Sequence, residues 1–211
     1  MKVCRATVLL LLLTTGIIHA QSSSGRPDAL VLYRKGLYRE AEKVTRLELK
    51  ENPKSMNAYT VLGWSLLALG KYAQAVQESL RALQISPYDN RIVQIVGEGY
   101  HRMGKDKKAE RYFKEYILLT PTGRLIDEVY YMLGEIYVSR KEYKKADIVF
   151  SAATYFNPDN AMWWYSLGKA RELEKEYKLA LQAYKQAAEM SSGSIEIDKG
   201  IQRMRKIIEM Q

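Results

Sequence analysis

Few residues in this 211-residue chain have the types and spacing that catalysis or metal binding requires. There are two histidines, His19 and His101, and one cysteine, Cys4, and none of them form a pair at metal-ligand spacing. No glycine-rich phosphate-binding loop is present. A lysine or two carboxylates could still act in catalysis, but these residues are scattered as on solvated helix faces. We therefore expect no enzymatic activity, no cofactor and no metal, and interpret His101 as a surface or groove-lining residue.

Tyrosine is the residue type in clear excess, with 16 copies. Exposed tyrosine and tryptophan side chains favour binding, because they offer large contact areas at a low cost in conformational entropy. Many of the tyrosines recur at regular positions, which is typical of a repeated scaffold. The sequence therefore favours recognition chemistry, and the repeat determines which elements present the recognising side chains.

Small residues and prolines recur at steps of 34 residues, with one step of 37. The repeated positions are Gly63, Gly97, Gly134 and Gly168, then Ala41, Ala75, Ala109, Ala146 and Ala180, then Pro53, Pro87, Pro121 and Pro158. A period of this length indicates helical hairpins that bury their apolar faces against one another. Glycine inside a helix costs roughly 1 kcal/mol relative to alanine, so its regular presence indicates close helix packing. We predict an all-α solenoid of helix-turn-helix hairpins.

The columns of this repeat carry a family resemblance. Tyr59-x-x-Leu62-Gly63-x-x-Leu66, followed by Ala75, Ala82 and Pro87, resembles the tetratricopeptide repeat. The same columns hold Val93, Val96, Gly97 and Tyr100, then Tyr130, Leu133, Gly134 and Tyr137, then Trp164, Leu167 and Gly168. The resemblance covers most of residues 26–192 and implies a right-handed superhelix with units at about 26–53, 56–87, 90–121, 127–158 and 161–192. It also implies that the chain binds a partner without catalysis.

Three departures from the repeat predict special features. The first unit, in which Ala29 replaces the glycine and Pro27 stands near the helix start, is degenerate and begins with a short helix. Three extra residues lie in Thr122–Ile126, where we expect the superhelix to bend or open. Residues 193–211 predict an amphipathic helix that caps the last apolar face of the solenoid.

The first 20 residues have the order of a secretory signal peptide. Lys2 and Arg5 precede an apolar run at 6–18, and the small residue Ala20 follows it. The run is shorter than the about 20 apolar residues that span a bilayer, although an uncleaved membrane anchor is the alternative. We therefore expect an exported protein, periplasmic or otherwise extracytoplasmic, with a flexible tail at 21–25.

The chain is basic, with 33 Lys and Arg against 24 Asp and Glu. Removal of residues 1–20 leaves 31 basic and 24 acidic residues, a net charge of +7, and takes away Cys4, so disulfides do not stabilise the mature chain. Basic clusters lie at hairpin turns, as solvated faces do, and an exported protein does not meet nucleic acid. We expect no nucleic-acid partner, while peripheral contact with an anionic membrane or polysaccharide stays open.

The resemblance implies a partner site, because in that family the first helices of successive units line a groove. Carried over by position, the groove residues are Leu30, Tyr33, Trp64, Leu67, Gln94, Glu98, His101, Tyr131, Glu135, Tyr165 and Lys169. One end is apolar and aromatic, and the middle is acidic. The lysine and asparagine residues of the family's chaperone-tail clamp are missing here, which disfavours an acidic carboxyl-terminal tail. We expect a partner segment with aromatic or aliphatic anchors and at least one basic residue.

Two of these assignments have alternatives. Trp64 could be packed under the degenerate first unit instead of exposed in the groove. Tyr131 and Tyr165 could stack on each other between neighbouring helices, which would make them part of the scaffold.

Three hypotheses for function follow. The first is an exported scaffold or adaptor that holds a segment of another envelope protein. The second is a structural protein that self-associates through its open end near Leu30 and Tyr33 or through its terminal helix. The third is a solute-binding accessory to a transporter.

The signal peptide gives a direct prediction. Because the apolar run ends at Ala20, we expect the mature chain to begin at Gln21. Intact-mass measurement or terminal sequencing of the protein from its native envelope checks this. A chain that keeps Met1 and pellets with membranes would instead indicate an anchor.

Overall fold

The computed structural model describes residues 27–191 and 193–211. Within these residues there are eleven helices and no strand. The helices are α1 (Ala29–Arg34), α2 (Tyr38–Glu51), α3 (Met56–Ala68), α4 (Tyr72–Ile85), α5 (Asn90–Arg102), α6 (Asp106–Leu119), α7 (Ile126–Ser139), α8 (Tyr143–Phe156), α9 (Ala161–Leu173), α10 (Tyr177–Met190) and α11 (Ile195–Glu209). None of the described helices has both the length and the apolar composition of a bilayer-spanning segment. The expected signal peptide and tail lie outside the described residues.

The first ten helices pair into five consecutive hairpins, and each hairpin packs against the next. The prediction of an all-α solenoid is therefore confirmed. The hairpin turns share one residue with positive φ, which is Gly36, Gly70 or Gly104 in the first three units and Lys141 or Lys175 in the last two. Glycine adopts this backbone conformation without steric conflict, whereas an L-residue with a side chain loses roughly 1–2 kcal/mol there. The same turn thus recurs even where the sequence lacks glycine.

Side-chain caps mark the beginning of most first helices of the hairpins. Asp28, Ser55, Asp89 and Asn160 each accept a hydrogen bond from a backbone N–H in the first turn of α1, α3, α5 and α9. Helix α7 differs, because it begins after Leu125 without a side-chain cap. Its first turn instead carries two carboxylates, Asp127 and Glu128, which the positive end of the helix dipole favours. The extra linker residues before α7 therefore change how this unit starts.

The repeated small residues are the points of closest helix approach. The five repeated alanines are fully buried, with 0% exposure. A Cβ atom on Gly97 would lie 2.7 Å from the ring of Phe113, and one on Gly168 would lie 2.7 Å from the ring of Tyr184. These distances leave no room for a side chain. At Gly97, Gly134 and Gly168 the packing reason for glycine is thus an aromatic ring on the second helix of the hairpin. At Gly63 it is Ile95 of the next hairpin, which would lie 2.9 Å from a Cβ atom.

The junction between α6 and α7 contains the three extra residues and remains closed. Ile126 and Val129 of α7 are 3% and 0% exposed, and they belong to one core cluster with Phe113 and Tyr116 of α6 and its surroundings. The opening that we expected as one outcome at this linker therefore does not occur. Apolar packing continues from one hairpin to the next across the longer connection.

Polar contacts also join α6 to α7. Glu110 accepts hydrogen bonds from Lys114 Nζ at 2.7 Å, from Tyr137 Oη at 3.1 Å and from Arg140 Nη1 at 2.5 Å. Partial burial favours the neutral acid, but these three donors outweigh it and lower the pKa of Glu110 from 4.5 to about 2. The Glu110 carboxylate thus links the second helix of one unit to the first helix of the next.

Helix α11 covers the last hairpin. Met204 and Tyr184 are both 0% exposed and lie in one apolar cluster between α10 and α11. The Tyr184 hydroxyl donates to Glu172 at 2.6 Å, and Arg203 of α11 donates to both oxygens of the same carboxylate at 2.7 Å. An ionised carboxylate that accepts a bidentate guanidinium pair is held in a defined geometry. The helix therefore closes this end of the solenoid with both apolar and charged contacts.

The glycine packing predicts a large effect of a side chain at position 97. Gly97→Leu must push the Phe113 ring away, and we expect it to lower the free energy of unfolding by roughly 1–3 kcal/mol. Lys107→Leu, at an exposed position of α6, is the control and should change stability by less than about 0.5 kcal/mol. Thermal or urea unfolding measures both. Equal melting curves for the two variants would contradict the assigned helix register.

The Glu110 contacts predict a pH-dependent contribution to stability. Because the pKa of Glu110 is lower in the folded chain than its ordinary value of 4.5, its stabilisation is complete above about pH 4.5 and is lost as the pH falls toward about 2. The stability difference between the wild type and Glu110→Gln should therefore shrink from pH 7 to pH 3 in urea unfolding. Glu115→Gln, in the same helix, is the control. A difference that stays constant over this range would contradict the assignment.

Candidate functional site

The first helices of successive hairpins lie side by side and enclose a cavity of about 720 Å³. Side chains from α1, α3, α5, α6, α7 and the linker before α7 form its walls. The residues are Leu30, Tyr33, Arg34, Trp64, Asn90, Arg91, Gln94, Glu98, Tyr116, Arg124, Leu125 and Glu128. We call this space the groove cavity. It has the size of a pocket for a small ligand or for a few side chains of a bound segment.

Five of the residues that the sequence placed in a groove meet in this cavity: Leu30, Tyr33, Trp64, Gln94 and Glu98. Leu67 lines an adjoining cavity of about 390 Å³, which shares Tyr33, Trp64 and Glu98 with the first. The groove residues predicted from their positions in the repeat thus come from three different units and form one continuous surface. Their sequence separations of about 34 residues are the reason, since each step of the repeat returns to the same place on the next hairpin.

Trp64 forms the aromatic centre of this surface. Its ring lies 5.7 Å from the ring of Tyr33, at a tilt of 32°, and Tyr33 in turn contacts Tyr38. Trp64 is half-buried against the degenerate first unit and still lines both cavities. The Trp64 indole therefore packs against the first unit and is also exposed to the groove.

Gln94 and Glu98 form a polar pair on α5. Gln94 is only 2% exposed, and its Nε2 donates to Glu98 Oε2 at 2.8 Å. The Oε1 atom of Gln94 is buried and accepts no hydrogen bond from the described residues. A buried carbonyl oxygen without a donor costs about 1–3 kcal/mol, and most such atoms in native proteins have a partner. The cavity wall thus contains an acceptor whose donor is missing.

The linker and the start of α7 add residues that sequence reasoning missed. Arg124, Leu125 and Glu128 line the groove cavity, although none of them belongs to the columns from which the groove was predicted. The one available signal was the 37-residue step, which located an irregularity at Thr122–Ile126 without indicating where its side chains point. Gly123 fixes the path of the linker, because a Cβ atom there would lie 2.7 Å from Tyr116 Oη.

The carboxylates of the cavity influence one another. Partial loss of hydration raises the pKa of Glu128, and the negative charges of Asp127 and Glu98 raise it further, while Arg124 acts in the opposite direction. The pKa of Tyr33 is raised by burial, by Tyr38 and by the charges of Glu98 and Glu128. Tyr33, Glu98 and Glu128 therefore face a common space from α1, α5 and α7.

His101 and Glu135 form the next contact along the same face. His101 Nε2 lies 3.2 Å from Glu135 Oε2, which joins α5 to α7 across 34 residues of sequence. Burial by itself would raise the pKa of Glu135, but the hydrogen bond and charge of His101 outweigh it and lower the pKa. This carboxylate is therefore engaged within the scaffold. The acidic residues that line the groove cavity are Glu98, which accepts from Gln94, and Glu128.

The aromatic residues of the last two units do not stack as one of our alternatives suggested. Tyr131 stacks on Trp163, with ring centroids 4.0 Å apart, and Tyr165 packs against Tyr184 at 5.8 Å. The alternative in which Tyr131 and Tyr165 stack on each other is wrong, but both rings do pack on other rings of the scaffold. Lys169 lies over the Tyr165 ring at 5.7 Å. Neither tyrosine nor Lys169 lines the groove cavity.

Comparison with known families decides the class of the chain. A model of the tetratricopeptide repeat matches residues 28–90 and 150–195, and a second model of the same repeat matches residues 127–160. The chain belongs to the tetratricopeptide repeat family. Residues 91–126, which include the linker at the groove cavity, are matched by neither model.

Solved tetratricopeptide-type structures share the fold. MamA from Desulfovibrio magneticus RS-1 has a TM-score of 0.69 at 19% identity, with 79% of this chain and 93% of that chain covered. Pseudomonas aeruginosa PilF has a TM-score of 0.75 at 20% identity, with 86% and 81% covered. TTC0263, a thermophilic tetratricopeptide protein from Thermus thermophilus, has a TM-score of 0.61 at 19% identity, with 84% and 95% covered. At these identities the likeness concerns the fold alone. No curated protein is detectably similar in sequence.

A tetratricopeptide fold indicates a protein-interaction scaffold, and the described residues fit that class. They contain no group of three or more His, Cys, Asp or Glu that could hold a metal ion. The groove cavity combines three aromatic residues, two leucines and seven polar or charged residues, so it offers both apolar contact and hydrogen-bonding groups to a partner.

Proposed function

We propose that this tetratricopeptide protein is a non-catalytic scaffold or adaptor of the cell envelope that holds a segment of another exported protein in its groove cavity. The observation that carries the proposal is the meeting of Leu30, Tyr33 and Trp64 at one open surface lined by four first helices. Aromatic side chains that are partly buried at a cavity are the typical anchors of protein interfaces. The location in the envelope rests on the signal-peptide pattern of residues 1–20.

Glu98 and Glu128 favour a segment with a basic residue over an acidic tail, although Arg34, Arg91 and Arg124 line the same cavity. The guanidinium of Arg91 is already paired with Asp89. The groove columns carry no lysine and asparagine of the chaperone-tail type at the positions of Trp64 and Glu98. Flanking aliphatic or aromatic residues of the partner would cover Leu30, Trp64 and Leu125. Rim charges act mainly on association rate and salt dependence, whereas the central rings supply most of the affinity.

Self-association is a second candidate, and the first hairpin provides the observation that favours it. Val31, Leu37 and Leu47 are 44%, 43% and 44% exposed at the end of the solenoid that α11 does not cover. A second copy of the chain could bury these side chains. Sedimentation over a range of concentrations separates the two candidates, since a scaffold for another protein stays monomeric at concentrations at which a self-associating chain forms oligomers.

The scaffold proposal predicts a specific loss of binding in Trp64→Ala. The partner is recovered by crosslinking and pull-down from envelope extracts, and its affinity is then measured for each variant. We expect Trp64→Ala to lose on the order of 2 kcal/mol or more of binding free energy, because a central aromatic anchor is removed. Trp164→Ala is the matched control, since Trp164 is also half-buried but donates its indole N–H to Pro158 O at 2.7 Å, outside the cavity.

A variant on the outer face tests whether the binding site lies there instead of in the groove. Lys144 and Lys145 are solvent-exposed on α8, and we expect their joint change to glutamate to leave binding nearly unchanged. Circular dichroism confirms that each variant is folded. If only the outer-face variant loses binding while its fold is intact, the groove assignment is wrong and the basic surface is the binding site.

A further inference from the structure

The groove cavity offers carboxylate acceptors from two sides. Glu98 lies on α5, where it accepts from Gln94 Nε2, and Glu128 lies across the cavity on α7. Glu128 forms no hydrogen bond or ion pair with the described residues, and the positive charge of Arg124 lowers its pKa. A group that fits these acceptors must carry several N–H donors and a positive charge.

The aromatic rings restrict the shape of that group. Tyr33 and Trp64, with their centroids 5.7 Å apart, stand beside Glu98 in both cavities. A planar cation can place its face on such rings while its edges donate hydrogen bonds. Guanidinium is planar and has five N–H donors in a fixed arrangement, whereas an ammonium group is a point charge with three donors. The combination of rings and separated acceptors therefore favours guanidinium.

The positive charges around the cavity do not occupy this place. Arg91 donates to both oxygens of Asp89, at 3.1 and 2.7 Å, and to Asn57 at 2.9 Å, so its guanidinium is engaged. Arg102 lies 3.6 Å from Glu98 on the same helix, at the adjoining cavity. Arg34, Arg124 and Glu128 are all exposed at the rim, where water and salt screen their charges. Glu98 is half-buried and lines both cavities, so its carboxylate can accept from a donor that enters from the groove.

We propose that the groove cavity binds an arginine side chain of the partner segment, with its guanidinium between Glu98 and Glu128 and over the Tyr33 and Trp64 rings. This inference rests on the proposed function, because it names the chemistry of the residue that the scaffold holds. Leu125, which the linker adds to the cavity wall, covers the aliphatic stem of the arginine. The three extra residues of the repeat thus contribute to specificity.

Matched synthetic peptides test the proposal without knowledge of the natural partner. The probes are acetyl-Ala-Leu-Arg-Phe-Ala-amide and the same peptide with citrulline or glutamate in place of arginine. Citrulline keeps the shape of arginine but has no charge. We expect the arginine peptide to bind the purified protein at least about tenfold more tightly than the citrulline peptide in calorimetric titration, a difference of about 1.4 kcal/mol. It should also shift the indole NMR signal of Trp64, assigned with Trp64→Phe.

Variants of Glu98 and Glu128 test whether these two residues cause the preference for the arginine peptide. In the double variant Glu98→Gln with Glu128→Gln, the arginine and citrulline peptides should bind within about twofold of each other. The control is Glu40→Gln with Glu189→Gln, which removes the same charge from two exposed positions outside the cavity and should keep the preference. Glu128→Gln alone changes an exposed residue and should reduce the preference without affecting folding.

Several results would overturn the inference. These are an undetectable affinity for the arginine peptide at millimolar concentration, equal affinity for arginine and citrulline, a preference for glutamate, or a preference that survives in the double variant. Its failure is distinct from that of the scaffold proposal. Loss of partner binding in Trp64→Ala without any arginine preference supports the scaffold alone, whereas arginine preference with no effect of Trp64→Ala on the partner supports the cavity chemistry alone.

Discussion

The close approach of two helices within each hairpin is the constraint on which the rest of the structure depends. At Gly97 and Gly168 the second helix places an aromatic ring in the space that a side chain would fill. The same contact at Gly134 makes this the arrangement of the last three hairpins, whereas Gly63 admits Ile95 of the next hairpin. These contacts fix the relative positions of neighbouring helices, and the stacking of hairpins then fixes which residues of successive first helices are neighbours. The groove cavity is a consequence of that regularity, since Tyr33 and Trp64 meet only because their units are stacked in register.

The two ends of the solenoid use their aromatic residues differently. At the last unit, Tyr184 fills the space at Gly168 and donates to Glu172, and Arg203 of α11 holds the same carboxylate. All of these groups find their partners inside the chain. At the first units, Trp64 is covered on one side only and Gln94 Oε1 lacks a donor. The groups of the last unit, which have partners within the chain, contribute to stability. The groups of the first units that have no such partners are suited to binding.

Sequence periodicity predicted the hairpins and part of the site for the same physical reason. A residue such as Trp64 or Glu98 is positioned by its column, so counting along the repeat was sufficient to place it in the cavity. Counting could not place Arg124, because a linker outside the repeat follows its own backbone path. Glu128 lies within α7, in the register of Arg91 one unit earlier, but that register was not among the columns used for the groove. Counting along the repeat could not predict ring contacts either, since the stacking of Tyr131 on Trp163 depends on side-chain rotamers and on the distance between neighbouring helices.

Irregularities in a repeat protein give a general scaffold local features of its own. Identical units would present identical columns along the whole groove. Here the longer connection before α7 keeps the core continuous through Ile126 and brings Leu125 to the cavity wall, while Glu128 lines the same cavity from the first turn of α7. Loss of hydration raises the pKa of Glu128, the charges of Asp127 and Glu98 raise it further, and Arg124 lowers it. A cationic group of a bound segment would reduce the repulsion among these carboxylates, so the proposed arginine would gain more at this unit than at a unit without Glu128.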